Sequence, residues 1–262
     1  MPYSTSPQRR LRAAVFSPLV EGGKVELVED RIVRGIASGA LHEGDRLPSE
    51  ADMAASLGVA TVTAREALAG LRRRGFVATR RGRDGGSYVT MNHRDRSELV
   101  LAQLAETTLV DLRDLALHYG VIASAAAFVA ASMADPDDID GVRRLAAAER
   151  GGEGSDPGSR AADLLLEMAA LSHSARLTRE FVQLHAEFGS YLRLAHEDPE
   201  FDAWSQAWGD ALVEALAGGD GDELRRLVQD YTRRAVALLI TRRDALAAPN
   251  EPARAATNAA AN

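Results

Sequence analysis

Apolar residues recur at helical spacing along most of this chain, interrupted once by a short stretch of a different character. From Val25 they fall at Val25, Leu27, Val28, Ile32, Ile36 and Ala37, the stripe of an amphipathic helix that stops near Gly39. Gly44-Asp45 is a turn signal. Leu47-Pro48-Ser49-Glu50 opens a second helix, with Ser49 as N-cap and Asp52 three residues on completing a variant of the capping box. Met53, Ala54 and Leu57 form its apolar side, and Gly58 ends it. A third helix is predicted over about 61–74, with Ala64, Ala67, Leu68 and Leu71 inward and Gly75 as terminator. Phe76–Thr79 and Ser87–Thr90 are β-prone runs on either side of the Gly-rich turn Arg80–Gly86, a hairpin signal. Helix, helix, tight turn, helix, hairpin is the order of a winged helix-turn-helix.

After Arg96 the period stays helical. Helices are expected at about 97–107, 109–133, 137–149, 159–174, 176–196, 199–217 and 220–246, with Pro136 and Pro199 where a helix start tolerates proline. Gly151–Gly158 reads as an inter-helix loop. The predicted fold is therefore mainly α: a flexible arm over 1–21, a winged helix over 22–90 with its helix-turn-helix at about 50–69, an all-α bundle over 97–246, and a low-complexity, disordered tail over 247–262.

Composition narrows the function. The 262 residues are 46% hydrophobic and 26% charged, which is globular. With no cysteine there is no disulfide, thiol nucleophile or thiolate zinc site. The longest apolar stretches, around Val121–Ala131 and Ala235–Ile240, fall short of the ~20 residues a membrane span needs. The N-terminal arginines are followed by no apolar run or cleavage pattern, so no signal peptide is expected, and the location expected is the cytoplasm. A Gly-rich phosphate loop, a serine nucleophile elbow and His-Glu-x-x-His are all missing, so enzyme chemistry is not expected.

The net charge of −7 divides unevenly: residues 1–96 carry +5 and residues 97–262 carry −12. Nine arginines lie between Ala60 and Arg96. A basic block joined to an acidic one is what a nucleic-acid-binding module attached to another domain looks like. The second helix of a helix-turn-helix enters the major groove with its N-terminal residues facing base edges. Here those are Thr61, Val62, Thr63 and, one turn on, Arg65. Threonine hydroxyls bond bases or phosphates, valine packs on a thymine methyl, and arginine pairs with guanine. Arg72, Arg73 and Arg74 lie further along, towards the backbone, and Arg81-Gly82-Arg83 gives the wing a cationic tip suited to a minor groove or phosphate.

Leu47-Pro48-Ser49-Glu50, Leu57-Gly58-Val59, Thr63-Ala64-Arg65-Glu66-Ala67-Leu68, Leu71, Gly75 and Gly82-Arg83-Asp84-Gly85-Gly86, in that order and spacing, resemble the GntR family of bacterial transcriptional regulators. The resemblance covers about 22–90 and implies a homodimer on double-stranded operator DNA, most often a repressor. Carried over by position, the DNA-contacting candidates are Thr61, Thr63, Arg65, Arg81, Gly82 and Arg83. Two departures point to an altered operator preference. Ala51 stands where the family often has arginine, and Ala60-Thr61 stands for its Ser-Arg.

The helical half is similar to the FCD branch, which includes the fatty-acid-responsive regulators. An aminotransferase-fused branch would need a catalytic lysine, and Lys24 is the only lysine here. Many FCD domains hold a divalent metal with an Asp-x3-His pair and one histidine from each of two later helices. The matching positions are Asp163, Glu167, Gly209 and Tyr231, so two carboxylates are weak metal candidates and no cofactor is required. Asp163, Glu167, His173, Arg193 and Tyr231 are the expected effector-facing residues, His173 lying ten positions from Asp163 and roughly on its face. The resemblance implies a fatty acid or acyl-CoA as effector, or else a small carboxylate. A helical half that only dimerises is the alternative.

Overall fold

The computed structural model describes residues 7–16, 18, 25–82, 85–148 and 158–247. Among them lie eleven helices and a two-stranded sheet. The first module comprises α2 (Val25–Ala37), α3 (Glu50–Leu57), α4 (Thr61–Arg73), β1 (Val77–Arg80) and β2 (Gly86–Val89). The predicted caps hold α3: Ser49 Oγ accepts the Asp52 N–H at 3.1 Å, and Gly58 closes the helix in the left-handed region at φ 71°. Ala60 starts α4 in extended conformation with no side-chain cap. The hairpin is antiparallel, Val77 opposite Val89 and Arg80 opposite Gly86, and Arg46 adds one bridge to Tyr88. Val28, Ile32, Ile36, Met53, Leu57, Leu68 and Leu71 are almost completely buried between the three helices.

Helix α5 (His93–Glu106) leads into the bundle. It starts four residues earlier than expected, because Asn92 accepts the Asp95 N–H at 3.0 Å and caps it. The bundle is α6 (Leu109–Met133), α7 (Pro136–Ala148), α8 (Ser159–Leu171), α9 (Ala175–Ala195), α10 (Pro199–Ala217) and α11 (Gly221–Ala247). Pro136 and Pro199 both open their helices, and Asp198 caps the second. Helix α6 is central, packing on α8, α9 and α11. Its buried face is mostly small residues, Ala116, Ala123, Ala126, Ala127 and Ala130, set beside Leu112 and Tyr119, which lets those neighbours approach closely. Leu164, Phe181, Phe188 and Leu212 are fully buried around it, each contributing about 1.5–3 kcal/mol of transfer free energy.

Two expectations change. The first 21 residues are not simply a flexible arm: Pro7–Val15 form helix α1, which packs on α2, α8 and α9. Val15 is fully buried where Gly35 of α2 leaves no Cβ in its way, and Arg12 donates to Asp45 Oδ2 at 2.6 Å and to the Arg46 carbonyl at 2.7 Å. Nine residues, three of them arginine, carry too short a pattern to distinguish from a loop. Helix α6, counted with its Gly and Ser residues, reaches a mean hydropathy of 1.6 over 18 residues, enough by length and composition to cross a membrane, although 44% of that window is buried in the bundle. The predicted tail lies mostly, and the Gly-rich loop almost wholly, outside the described residues.

Candidate nucleic-acid interface and bundle interior

Helix α4 presents Thr61, Val62, Arg65, Glu66 and Arg73 outward while Ala64, Ala67, Leu68 and Leu71 anchor it. Val62 is 56% exposed, which a valine tolerates at an interface that later covers it. Thr63 belongs with the anchoring set: at 9% exposure its side chain faces the module core, one helical step away from the outward stripe. The guanidinium of Arg65 donates through Nε to Glu50 Oε2 at 2.8 Å, and this bond and charge raise its pKa further. The pair aims Arg65 outward from α4 while its side chain stays 63% exposed.

Beside α4, the wing carries Arg80 stacked over Tyr88 at 4.4 Å, with Arg81 and Gly82 exposed at the tip. Gly82 sits at φ 109°, a conformation other residues rarely adopt. Arg83 lies outside the described residues. A cleft of about 650 Å³ runs between α3, α4 and the hairpin, lined by Arg12, Arg46 and Arg72 as well as Ser49 and Glu50. Arg46 is held there by its bond to the Gly85 carbonyl at 2.7 Å. Sequence reasoning missed Arg12 and Arg46. Neither belongs to a periodic pattern, and each reaches the cleft only through tertiary contacts.

Inside the bundle His185 and His196 are bonded to neighbouring polar side chains. Asp163 is 5% exposed, Glu167 half-buried, and Tyr231 fully buried. His196 Nδ1 lies 2.8 Å from Asp202 Oδ1, and its Nε2 lies 2.9 Å from Tyr231 Oη. Burial lowers the His196 pKa, against the opposing bond to Asp202, so the neutral ring donates to the carboxylate and accepts from the phenol. Trp204 and Trp208, the two tryptophans of the chain, both stack against Tyr231, with centroids 6.4 and 4.5 Å away. His185 meets Tyr119 Oη at 3.0 Å, and burial, then the nearby Arg193 charge, bring its pKa down to about 3. His173 is a correction: it is exposed beyond the end of α8, at φ 50°, because Ser172 caps the helix and breaks the register with Asp163.

Arg160 was not foreseen. Its side chain, 7% exposed, donates to the Ala146 carbonyl, to both oxygens of Gln206, and to Asp210 Oδ1 at 2.7 Å. It thereby joins α8 to α7 and α10. Arg193 reaches from the bundle to the first module: its Nη2 donates to the Ser38 carbonyl at 3.0 Å, at the end of α2. Gly39 makes this approach feasible. Its φ is +76°, and a Cβ there would collide with the guanidinium. Of the five expected effector residues, the structure buries Asp163 and Tyr231, half-buries Glu167, turns Arg193 to the module boundary and leaves His173 outside.

Residues 24–89 match the model for bacterial regulatory proteins of the gntR family, and residues 114–234 match the FCD domain. The chain belongs to the GntR family. Among its relatives, an HTH-type transcriptional regulator, RmpR, of Mycobacterium gastri is 29% identical over 235 residues, covering 87% of this chain and 85% of the relative. The L-lactate dehydrogenase operon regulatory protein of Escherichia coli (strain K12) is 29% identical over 215 residues, covering 78% and 81%. Solved structures of similar fold include a GntR regulator from Rhodococcus sp. RHA1, 21% identical with TM-score 0.47, covering 83% of this chain and 97% of that one. Another is E. coli McbR/YncC, 18% identical with TM-score 0.44, covering 84% and 99%. This GntR protein is thus a DNA-binding transcriptional regulator with a helical FCD domain. The metal that many FCD domains hold does not fit the residues present. Arg160 Nη1 would lie 2.8 Å from a Cβ at Gly209, and Tyr231 is committed to His196. Among the described residues no three His, Cys, Asp or Glu side chains are grouped to hold an ion.

Proposed function

We propose that this regulator acts in the cytoplasm as a homodimeric repressor on a palindromic operator and is released by a small carboxylate bound in the helical domain. The observation that carries the reading is the Arg193–Ser38 bond. One end of that side chain belongs to α9, among His185 and His196, whose pKa values its charge depresses. The other end holds α2, against which the reading helix packs. An anion drawn to Arg193 inside the bundle competes with the Ser38 carbonyl, so ligand binding and operator binding share one group. Release on binding is the behaviour of a repressor.

Operator affinity measured by anisotropy on the DNA upstream of its own gene, with and without small carboxylates, tests this. The expected result is specific binding at physiological salt that weakens with one of the acids, accompanied by a change in Trp204 and Trp208 fluorescence. No preference over scrambled duplex, or tightening instead of release, contradicts it. A second reading, a helical domain that only dimerises, is favoured by Arg160 filling the space beside Gly209. Thermal shift of the full chain against short carboxylates, fatty acids and acyl-CoAs separates the two.

A further inference from the structure

Helix α6 is apolar on both sides. One face, Leu112, Ala116, Tyr119, Ala123 and Ala127, is buried in the bundle. The other keeps Val110, Leu117, Val121 and Phe128 exposed at 75%, 66%, 53% and 46%. Large apolar side chains gathered on one exposed helix face mark a surface that a partner covers. Beside this stripe a groove of about 330 Å³ opens between α6 and α11, floored by Ala116, Gly120 and Val236 and rimmed by Arg113 and Arg233. Apolar centre and charged rim are the anatomy of a protein interface.

The spacing of the four exposed residues is self-complementary. Positions 110 and 128, and positions 117 and 121, are each symmetric about residue 119. A two-fold axis crossing α6 at residue 119 therefore sets Leu117 against Val121 of a second copy and Val110 against its Phe128, a larger side chain opposite a smaller one at each contact. Asp114 lies in the same stripe. With the two helices parallel, it would meet its own copy. In the antiparallel register the two Asp114 groups are ten residues apart along the pair, about 15 Å, and the repulsion is largely screened. DNA is a poor occupant for an apolar face carrying Asp111 and Asp114, and the −12 of residues 97–262 opposes an anionic lipid surface.

We propose that this face of α6 is the contact between two copies of the chain, paired antiparallel about residue 119. The proposal deepens the homodimer reading above and rests on it. Sedimentation velocity of the full chain tests it with a charge exchange. Leu117→Lys and Val121→Glu, each alone, are expected to weaken dimerisation roughly a hundred-fold, with the circular dichroism melt retained. The double variant places opposite charges across the axis twice and is expected to recover the dimer. A dimer indifferent to both single variants overturns the surface and leaves the homodimer reading standing. Monomers in all three variants overturn the antiparallel register. A monomeric wild type overturns both readings, and flotation of the wild type with anionic vesicles assigns the face to lipid instead. Should the charged variants fail to fold, Leu117→Cys/Val121→Cys in this cysteine-free chain is expected to give a covalent dimer on mild oxidation. Its failure to cross-link counts against the proposal equally.

Discussion

Arg65 and Arg160 are the same residue under opposite physical conditions. In the winged helix, Arg65 is 63% exposed with a single carboxylate beside it, so its charge stays hydrated and accessible to a partner. In the bundle, Arg160 is 7% exposed and spends its donors on two carbonyls, an amide oxygen and a carboxylate. The contrast extends to the whole of each region. The DNA-reading module keeps its chemistry on an outer face and uses apolar residues inside, whereas the bundle buries polar groups such as Arg160, His185 and His196 among hydrogen-bond partners. A buried charge without partners costs several kcal/mol, so the second arrangement stabilises only when complete.

That difference sets the size of the expected effects. The largest effects belong to the bundle: Arg160→Ala strips Ala146 and Gln206 of their donor and removes a tie between α8, α7 and α10, and urea unfolding should show a loss of about 2–3 kcal/mol. A loss under about 1 kcal/mol would mean the network is ornamental. Acidification comes next. His185 titrates near 3 when folded and near 6.5 when unfolded, so its neutral form favours the native state above pH 6.5. That contribution falls away as pH drops from 6.5 towards 3, on the order of 3 kcal/mol by pH 4. His196 acts in the same direction. A His185→Phe variant should show a shallower decline in melting temperature between pH 6.5 and 4 than the wild type, and equal slopes would refute the assignment.

Arg65→Ala should weaken specific operator binding about ten- to a hundred-fold with an unchanged melting temperature. Thr63→Val, facing the core, should leave operator affinity almost unaltered, and a large loss of affinity there would return Thr63 to the reading face. The smallest effect is expected at the N-terminal helix. Arg12→Ala breaks a half-exposed ion pair with Asp45, worth under about 1 kcal/mol in a thermal melt. A shift well beyond that would mean α1 is a principal clamp between the two regions.

The winged helix was legible because its signals are local. Ser49 caps, Gly58 terminates, and the alternation of Ala64, Ala67, Leu68 and Leu71 assigns the inner face, all within one or two turns. Even there, the burial of Thr63 was not legible, since a residue at the edge of a stripe needs the neighbouring helices to decide its side. The bundle helices were legible in number and approximate extent. Their polar contacts were not: the partners of Arg160, His196 and Arg193 lie 6 to 155 residues away, most of them on other helices. His173 failed for a local reason, because Ser172 ends α8 where the pattern alone carried it to residue 174.

From its sequence alone this protein is a basic, arginine-rich winged helix followed by an acidic set of helices, with the reading helix identified and a DNA partner implied. These follow from propensity, caps and charge, which act over a few residues and survive any arrangement of the rest. Tertiary structure alone decided that α1 is a packed helix, that Arg193 crosses from bundle to module, and that Arg160 fills the space beside Gly209. It also left one face of α6 apolar and uncovered. Each of these depends on which distant segments displace water from one another, and burial of that kind has no period to read along the chain.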